Sequence, residues 1–351
     1  MSSLIRLPGL IDIHVHFRDP GQTHKEDFFT GSSAAVAGGV TAVFDMPNNS
    51  DHVTTLERLR EKELAAENKA VCDYGLYFGT DGKNLDIFAK AALKTAGLKI
   101  YLGLTTGRQF ISDPKLLERI FVAWPKEKVI VIHGEGDQIN LAIEMAAKTG
   151  SKLHISHIST KNALEQIIRA RKDKLALTCD VTPHHLFLNQ EDGQKLGKLA
   201  QVKPPLATIS DQVFLWQNIS EVDCLATDHA PHTLEEKHRK EAFGFPGLET
   251  MLPLLLTAVA DGKVTVKEII RLTNEGPRKI FGINQEIDTY VEAESGGKYR
   301  IENTNLFTRC GWSPFDGWIV NGKVVKTVIR GQTVFENNKI LVPPGFGRKI
   351  N

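Results

Sequence analysis

Short apolar runs alternate with amphipathic stretches along the first two thirds of the chain. Eight runs are almost continuously apolar, which is typical of parallel strands covered on both faces. These runs are Gly9–His16, Thr41–Met46, Cys72–Phe78, Leu98–Gly103, Lys128–His133, Lys152–His157, Ala176–Val181 and Val222–Thr227. Helical patterns lie between them, for example at Leu56–Lys69, Asn140–Lys148, Lys161–Arg169 and Asp211–Asn218. The alternation predicts an α/β fold, a (β/α)₈ barrel of the TIM type, with an open doubly wound sheet as the alternative.

The pattern changes after the eighth run. Leu248–Val259 and Val266–Leu272 are apolar helical segments, and from about Ile287 the chain becomes β-like. Short strands are indicated near the end of the chain, separated by Asn-Gly, Arg-Gly-Gln and Asn-Asn turns, at Trp318–Val320, Val324–Ile329 and Val334–Phe335. We therefore expect residues 7–286 to form the barrel, and residues 1–6 with 287–351 to form a small β-rich appendage.

Composition adds few constraints. The chain has 351 residues, 41% of them hydrophobic, and a formal net charge of +1, which is ordinary for a globular protein. This balance gives no argument for a nucleic-acid or membrane partner. The four cysteines are far apart and form no C-x-x-C pair, so we expect free thiols and a reducing, cytoplasmic compartment.

The ends of the predicted strands carry the candidate chemistry, because catalytic residues of such barrels collect at the carboxyl ends of the strands. His14 and His16 point to the same face of the first strand and suit one shared divalent ion, although such a pair is also common as a purely structural feature. Further candidate ligands follow at other strand ends, at Lys99, His133, His157 and Asp228. Nitrogen and oxygen ligands without paired thiolates suit zinc in an open catalytic site, and the set is too large for one ion. The sequence therefore predicts a two-metal hydrolase.

Lys99 leaves two interpretations open. It lies in the apolar run Leu98–Leu102, where an unpaired buried cation is costly. Its ammonium either reaches the rim or pairs with Asp228, or its neutral amine has reacted with carbon dioxide to give a carbamate that bridges two metals. The physical chemistry of the sequence does not separate these interpretations.

Two long segments carry a family resemblance. Pro8–Gly21 (PGLIDIHVHFRDPG) and Ala226–Thr233 (ATDHAPHT) resemble the metal-binding signatures of dihydroorotases in the amidohydrolase superfamily. The similarity extends over nearly the whole chain, through Met46–Asn48, Gly97–Lys99, Val181–Leu186, Phe245–Pro253 and Leu341–Gly345. Within that family, the chain resembles in particular the dihydroorotase domain of the animal multifunctional pyrimidine-biosynthesis protein.

The resemblance implies a metal centre with two zinc ions. His14 and His16 would hold the more buried ion, with Asp228 as a further ligand. His133 and His157 would hold the second ion, and a carboxylated Lys99 would bridge the two. Ser156 precedes His157 where the animal relative has cysteine, so any metal contact by that thiol is absent here.

The resemblance also implies substrate contacts. Arg18, Asn48 and His232 would bind the α-carboxylate of the substrate, a task that suits the planar guanidinium of arginine. Lys203 and Gly247 would be further contacts, and Lys203 departs from the family because relatives carry arginine or asparagine there. The segment Gly103–Ser112 would be a mobile loop over the site, with Thr105 and Thr106 as candidate contacts; an ordinary surface loop is the alternative.

The implied reaction is the reversible cyclisation of N-carbamoyl-L-aspartate to L-dihydroorotate in pyrimidine biosynthesis. Asp228 would act as the catalytic base and acid. The resemblance further implies a homodimer, and it leaves open whether the chain works with an aspartate transcarbamoylase. An allantoinase or hydantoinase would share the metal set, but these enzymes need no arginine at the position of Arg18. A non-catalytic homologue is the third alternative, and such proteins usually lack several of the ligands that are present here.

Overall fold

The computed structural model describes residues 3–103 and 110–350. The strands in these ranges are β1 (Ser3–Pro8), β2 (Leu10–Val15), β3 (Val40–Asp45), β4 (Asp73–Gly79), β5 (Gly97–Tyr101), β6 (Val129–His133), β7 (Leu153–Ile155), β8 (Leu177–Val181), β9 (Cys224–Leu225), β10 (Tyr290–Arg300), β11 (Ile319–Ile329), β12 (Gln332–Glu336) and β13 (Lys339–Ile340). The α-helices are α1 (Phe28–Ala37), α2 (Leu56–Lys69), α3 (Phe88–Ala92), α4 (Pro114–Ala123), α5 (Asp137–Thr149), α6 (Lys161–Arg171), α7 (Pro183–Phe187), α8 (Gln190–Leu196), α9 (Ile209–Gln217), α10 (Leu234–Arg239), α11 (Met251–Ala260), α12 (Val266–Ile270) and α13 (Gly276–Phe281).

Strands β2 to β9 form one parallel sheet in sequential order. Near the mouth the sheet closes on itself, because the His16 N–H donates to the His229 carbonyl at 2.8 Å and Val15 forms a parallel bridge with His229. Strands β2, β3, β5 and β6 are buried along their whole length. Such strands need apolar side chains on both faces, which is why they read as continuous apolar runs. The predicted (β/α)₈ barrel is confirmed.

The predicted bounds agree with the structure for some helices and differ for others. Helix α2 has the predicted bounds, and Thr55 caps its first turn by accepting a hydrogen bond from the Arg58 N–H at 3.1 Å. The predicted helix Val266–Leu272 instead changes at Arg271 into a π-helical turn that ends at Glu275. A Cβ on Gly276 would lie 2.0 Å from the Asp223 carbonyl, so this turn packs tightly under the barrel. Within the described ranges, no helix is long and apolar enough to cross a membrane.

The second sheet is antiparallel, with the strand order β1-β10-β11-β12-β13, and it matches the predicted β-rich appendage. Leu7 and Pro8 belong to β1 in this sheet. Two tight turns join its last strands, at 330–331 and 337–338, and their residues all have positive φ, as turns matched to the twist of a hairpin require.

One predicted turn of this sheet was wrong. Asn321 and Gly322 do not form a turn, because they lie inside the continuous strand β11. A Cβ on Gly322 would lie 2.5 Å from Leu256 Cδ1 and 2.7 Å from the Glu294 carbonyl. The glycine is therefore explained by the close approach of helix α11 and strand β10, and it does not reverse the chain.

The segment between β10 and β11 leaves the small sheet and reaches the barrel mouth. Its Trp312 indole donates to the His232 carbonyl at 2.7 Å, and its Arg309 N–H donates to Glu26 at 3.1 Å. Trp312 is almost fully buried in an apolar cluster with Phe245 and Phe315. Residues of the C-terminal part thus pack beside the strand ends that carry the candidate site.

Candidate metal centre and active site

Strand β2 and the residue after β9 bring three candidate ligands together. The Nε2 atoms of His14 and His16 lie 3.3 Å and 3.0 Å from Asp228 Oδ1, and the ligand atoms of all three residues lie within 4.8 Å of one another. All three side chains are buried. This is a candidate metal site built from two neighbouring imidazoles and one carboxylate.

A second pair of imidazoles lies beside the first. His133 Nδ1, at the end of β6, is 2.9 Å from His157 Nε2, just beyond β7, and the ring centres of His14 and His157 are 5.2 Å apart. Lys99 on β5 is also buried, and its Nζ donates to Ser156 Oγ at 2.9 Å. All six predicted ligands therefore converge on one end of the barrel.

The protonation chemistry of this cluster suits a cation. Burial, and next the nearby Lys99 charge, lower the pKa of His14 well below its ordinary value, and burial lowers the pKa of His133 to about 3. Burial likewise lowers the pKa of Lys99 and raises that of Asp228. Among the described residues, the buried Nδ1 atoms of His14 and His157 have no hydrogen-bond partner. Neutral imidazoles with free nitrogens are the form that binds metal, so the residues fit the implied ions.

Three candidate site residues have a positive backbone φ. Arg18, His157 and Asp228 have φ values of 62°, 43° and 48°, in the left-handed region that only a small fraction of residues other than glycine adopt. Each lies just after a barrel strand. Strain of this kind persists only where the surrounding structure enforces it, and it turns these side chains across the barrel mouth.

A pocket with about 400 Å³ of empty space, including the part open to solvent, lies over the cluster. The predicted site residues that line it are His14, His16, Arg18, Asn48, His133, His157, Lys203 and Asp228. The His16 Nδ1–H donates to Asn48 Oδ1 at 2.6 Å, which leaves the Nε2 lone pair of His16 toward Asp228. The Asn48 amide N–H groups thereby keep their donor capacity for a ligand.

Arg18 is the principal cation of the pocket and is only 4% exposed. Its Nε donates to the Pro231 carbonyl at 3.3 Å, and its Nη2 donates to His232 Nε2 at 3.2 Å. These two contacts orient the guanidinium toward the pocket, and the second one connects His232 to the residues that line it. Lys203 Nζ lies 4.7 Å from the centre of the Phe243 ring, and both residues line the pocket.

One other predicted contact has a different position. Gly247 is not part of the pocket lining; its N–H donates to His229 Nδ1 at 3.1 Å, which orients the imidazole next to Asp228. Thr105 and Thr106 lie outside the described residues. His184 and His185 follow β8 but do not line the pocket; His185 contacts Thr182 and the Pro204 carbonyl.

Some site residues were not identified from the sequence. Tyr101 and Phe243 line the pocket, and Asp45 and Asp180 are buried acids directly below it. The two aspartates lie near the ends of apolar runs, and a lone acid in such a run is the signal that could have identified them. Tyr101 gives no such signal, since an aromatic residue is ordinary in a buried strand.

The comparisons with known proteins agree with this geometry. Residues 5–178 match the amidohydrolase family. Multifunctional protein CAD of Squalus acanthias is 43% identical over 99% of this chain and 16% of that protein, so the chain spans about a sixth of that relative. A dihydroorotase of Pyrococcus abyssi is 37% identical over 97% of this chain and 86% of its own length. The chain belongs to the dihydroorotase family.

Solved structures give the same fold. L-hydantoinase (dihydropyrimidinase) from Arthrobacter aurescens superposes with a TM-score of 0.92 at 25% identity, covering 98% of this chain and 88% of that one. An inactive dihydroorotase-like domain of the Chaetomium thermophilum CAD-like multifunctional protein superposes with a TM-score of 0.85 at 26% identity, covering 99% and 100% of the two chains. The fold alone therefore does not separate active from inactive members, and the site residues must do so.

Proposed function

We propose that this chain is a zinc-dependent dihydroorotase that interconverts N-carbamoyl-L-aspartate and L-dihydroorotate. One observation carries the proposal: the buried ligand cluster of His14, His16 and Asp228 lines the same pocket as the buried guanidinium of Arg18. The ligand cluster would hold the metal ions that polarise a cyclic amide, and a carboxylate on the ring requires a fixed cation nearby. The arrangement provides both groups in one pocket.

Two zinc ions would be held by the six convergent residues. His14, His16 and Asp228 would hold one ion and His133 and His157 the other, and a carboxylated Lys99 would be a ligand common to both. When bound, the ions polarise the amide carbonyl and lower the pKa of water. The buried, neutral imidazoles need no deprotonation to bind these ions.

The protein itself provides binding and proton transfer. Arg18, Asn48 and His232 bind the α-carboxylate, with Lys203, Gly247 and the loop residues Thr105 and Thr106 as further proposed contacts. In ring opening, an Asp228 carboxylate oxygen accepts the proton of the attacking water and returns it to the departing ring nitrogen. In ring closure the same oxygen moves the proton in the opposite direction, so one group serves as base and acid.

Specific residues favour this reaction over the alternatives. A hydantoinase or allantoinase has no ring carboxylate to bind, whereas Arg18 is buried at the pocket wall and held by two hydrogen bonds. A non-catalytic homologue needs no complete ligand set, whereas all six candidate ligands converge here. As further parts of the proposal, the chain is a cytoplasmic homodimer, and an aspartate transcarbamoylase is a candidate partner.

The test is ring opening of dihydroorotate, followed by ultraviolet absorbance, for the wild type and Asp228→Asn at measured zinc content. Asparagine cannot accept the proton, so kcat should fall about 10²- to 10⁴-fold. Asp223→Asn is the matched control, because Asp223 lies at the opposite end of β9, where it accepts the Cys179 N–H at 2.8 Å. A zinc-loaded wild type that leaves dihydroorotate intact would refute the proposed function.

A further inference from the structure

The three functional residues with left-handed backbone share a second feature. A buried aspartate lies beneath each of them and accepts hydrogen bonds from the backbone of the strained turn. Asp45 accepts the Phe17 N–H at 2.8 Å, immediately before Arg18. Asp12 accepts the Thr227 N–H at 3.2 Å, immediately before Asp228. Each strained turn is therefore held from inside the barrel by an acid on its own or an adjacent strand.

Asp180 provides the most direct of these contacts. Its Oδ1 accepts the N–H of His157 itself at 2.7 Å, and its Oδ2 lies 2.8 Å from Nε2 of His154. His154 is fully buried, and its Nδ1 lies 2.9 Å from Thr178 Oγ1. The carboxylate is thus oriented on one side by an imidazole and uses its other oxygen to hold a candidate metal ligand.

We propose that Asp180 and His154 form a positioning pair that holds His157 in the conformation required for the second metal ion. The inference rests on the proposed function, because it assigns these two residues a role in the same metal centre. His157 follows the short strand β7, which ends at Ile155. The N–H groups on either side of it donate to backbone carbonyls of the neighbouring strands, Ser156 to Ile132 at 3.0 Å and Ile158 to Asp180 at 2.8 Å. The N–H of His157 itself, whose φ is 43°, finds its acceptor in the Asp180 carboxylate rather than in a backbone carbonyl.

The pair is distinct from a general stabilising contact. Asp223 makes a similar contact at the far end of the barrel, where its Oδ2 accepts the Cys179 N–H at 2.8 Å and pairs with Arg171. Both aspartates secure backbone at the ends of the parallel sheet, but only Asp180 contacts a candidate ligand. Comparing the two positions separates metal positioning from the stability of the barrel.

The experiment measures zinc retained per chain after dialysis against a fixed concentration of chelator, together with thermal unfolding. Asp180→Leu keeps the branched shape of the side chain but accepts no hydrogen bond, so we expect one zinc to be lost while the wild type keeps two. The expected loss of affinity at the second site is about 10- to 100-fold, as for other residues that orient metal ligands. Asp180→Asn keeps the acceptor for His157, and a change of the His154 tautomer satisfies its amide, so it should retain both ions.

Asp223→Leu is the control and should retain both ions even though its unfolding temperature falls. Equal zinc retention by Asp180→Leu and the wild type would overturn the inference, as would an equal loss in Asp223→Leu. If Asp180→Leu does not fold, His154→Leu takes its place, and unchanged zinc retention in that variant counts against the pair. A wild type that holds two zinc ions but does not open dihydroorotate refutes the proposed function alone, because the zinc comparison needs no substrate.

Discussion

Substituting Arg18 by methionine tests which feature of the pocket selects the substrate. Methionine has a similar length but neither charge nor donors. Arg18 uses Nε for the Pro231 carbonyl and one Nη2 hydrogen for His232, which leaves three of its five N–H groups for a ligand. Arg18 is 4% exposed, so little water competes with a bound carboxylate for these donors.

The expected loss follows from two charge-assisted hydrogen bonds to the carboxylate. Each contributes about 1.5–3 kcal/mol, so losing both costs about 3–6 kcal/mol of transition-state binding. At 1.36 kcal/mol for each factor of ten, kcat/KM for dihydroorotate should fall roughly 10²- to 10⁴-fold. Arg18→Lys should lie between the wild type and Arg18→Met, because an ammonium keeps the charge but not the planar fork.

The assay compares dihydroorotate with dihydrouracil, which has the same ring without the carboxylate. Because Arg18 has no group to bind on dihydrouracil, Arg18→Met should leave that slower reaction nearly unchanged. Arg309→Met is the control for charge alone, since Arg309 lies on the mouth side but pairs with Asp27 at 2.6 Å and does not line the pocket. An equal loss on both substrates would show that Arg18 supports the fold rather than the carboxylate.

Two further predictions concern stability. Gly75→Ala should lower the free energy of unfolding by about 1–3 kcal/mol or more, because the new Cβ would lie 1.7 Å from the buried ring of Phe44. Gly193→Ala in helix α8 should raise the free energy of unfolding by up to about 1 kcal/mol, because its Cβ would lie 3.5 Å from the nearest atom, Leu206 Cδ1. Denaturant titration measures both, and equal effects would contradict the packing argument. Burial raises the pKa of Glu249 from 4.5 to about 8, so its contribution to stability is complete below about pH 4.5 and is lost as the pH rises through about 8. The stability of the wild type relative to Glu249→Gln should therefore fall across that range, and a difference that does not vary with pH would disprove the link.

The barrel was predictable because its strands are buried on both faces. Continuous apolar runs such as the one in β6 identify a strand without needing its neighbours, and the strand-end rule then selects His133. The convergence of the six candidate ligands follows from the closure of the sheet. The local pattern of the chain was therefore sufficient to predict the strands that are covered on both faces.

Other features depend on contacts between distant segments. Gly322 has the appearance of a turn residue, and only the approach of Leu256 shows that it lies within a strand. Likewise, nothing in the local pattern around Trp312 indicates that its indole donates to the His232 carbonyl. The hydrogen bond from the His157 N–H to Asp180 also joins residues on different strands, and single-sequence patterns contain no information on such pairs.

Strand β1 pairs with strand β10, and the contact between Ser3 and Ser295 joins positions 292 apart in the chain. During synthesis β1 is made before the barrel strands, yet its partner β10 is made only after the whole barrel. Contacts between segments so far apart in the chain form slowly. Until β10 is made, β1 has no strand to pair with. Its Leu4 is 62% exposed even in the folded protein. Strand β1 is thus made before the barrel but finds its partner only after it, and the nascent chain is vulnerable to misassociation at that strand until β10 arrives.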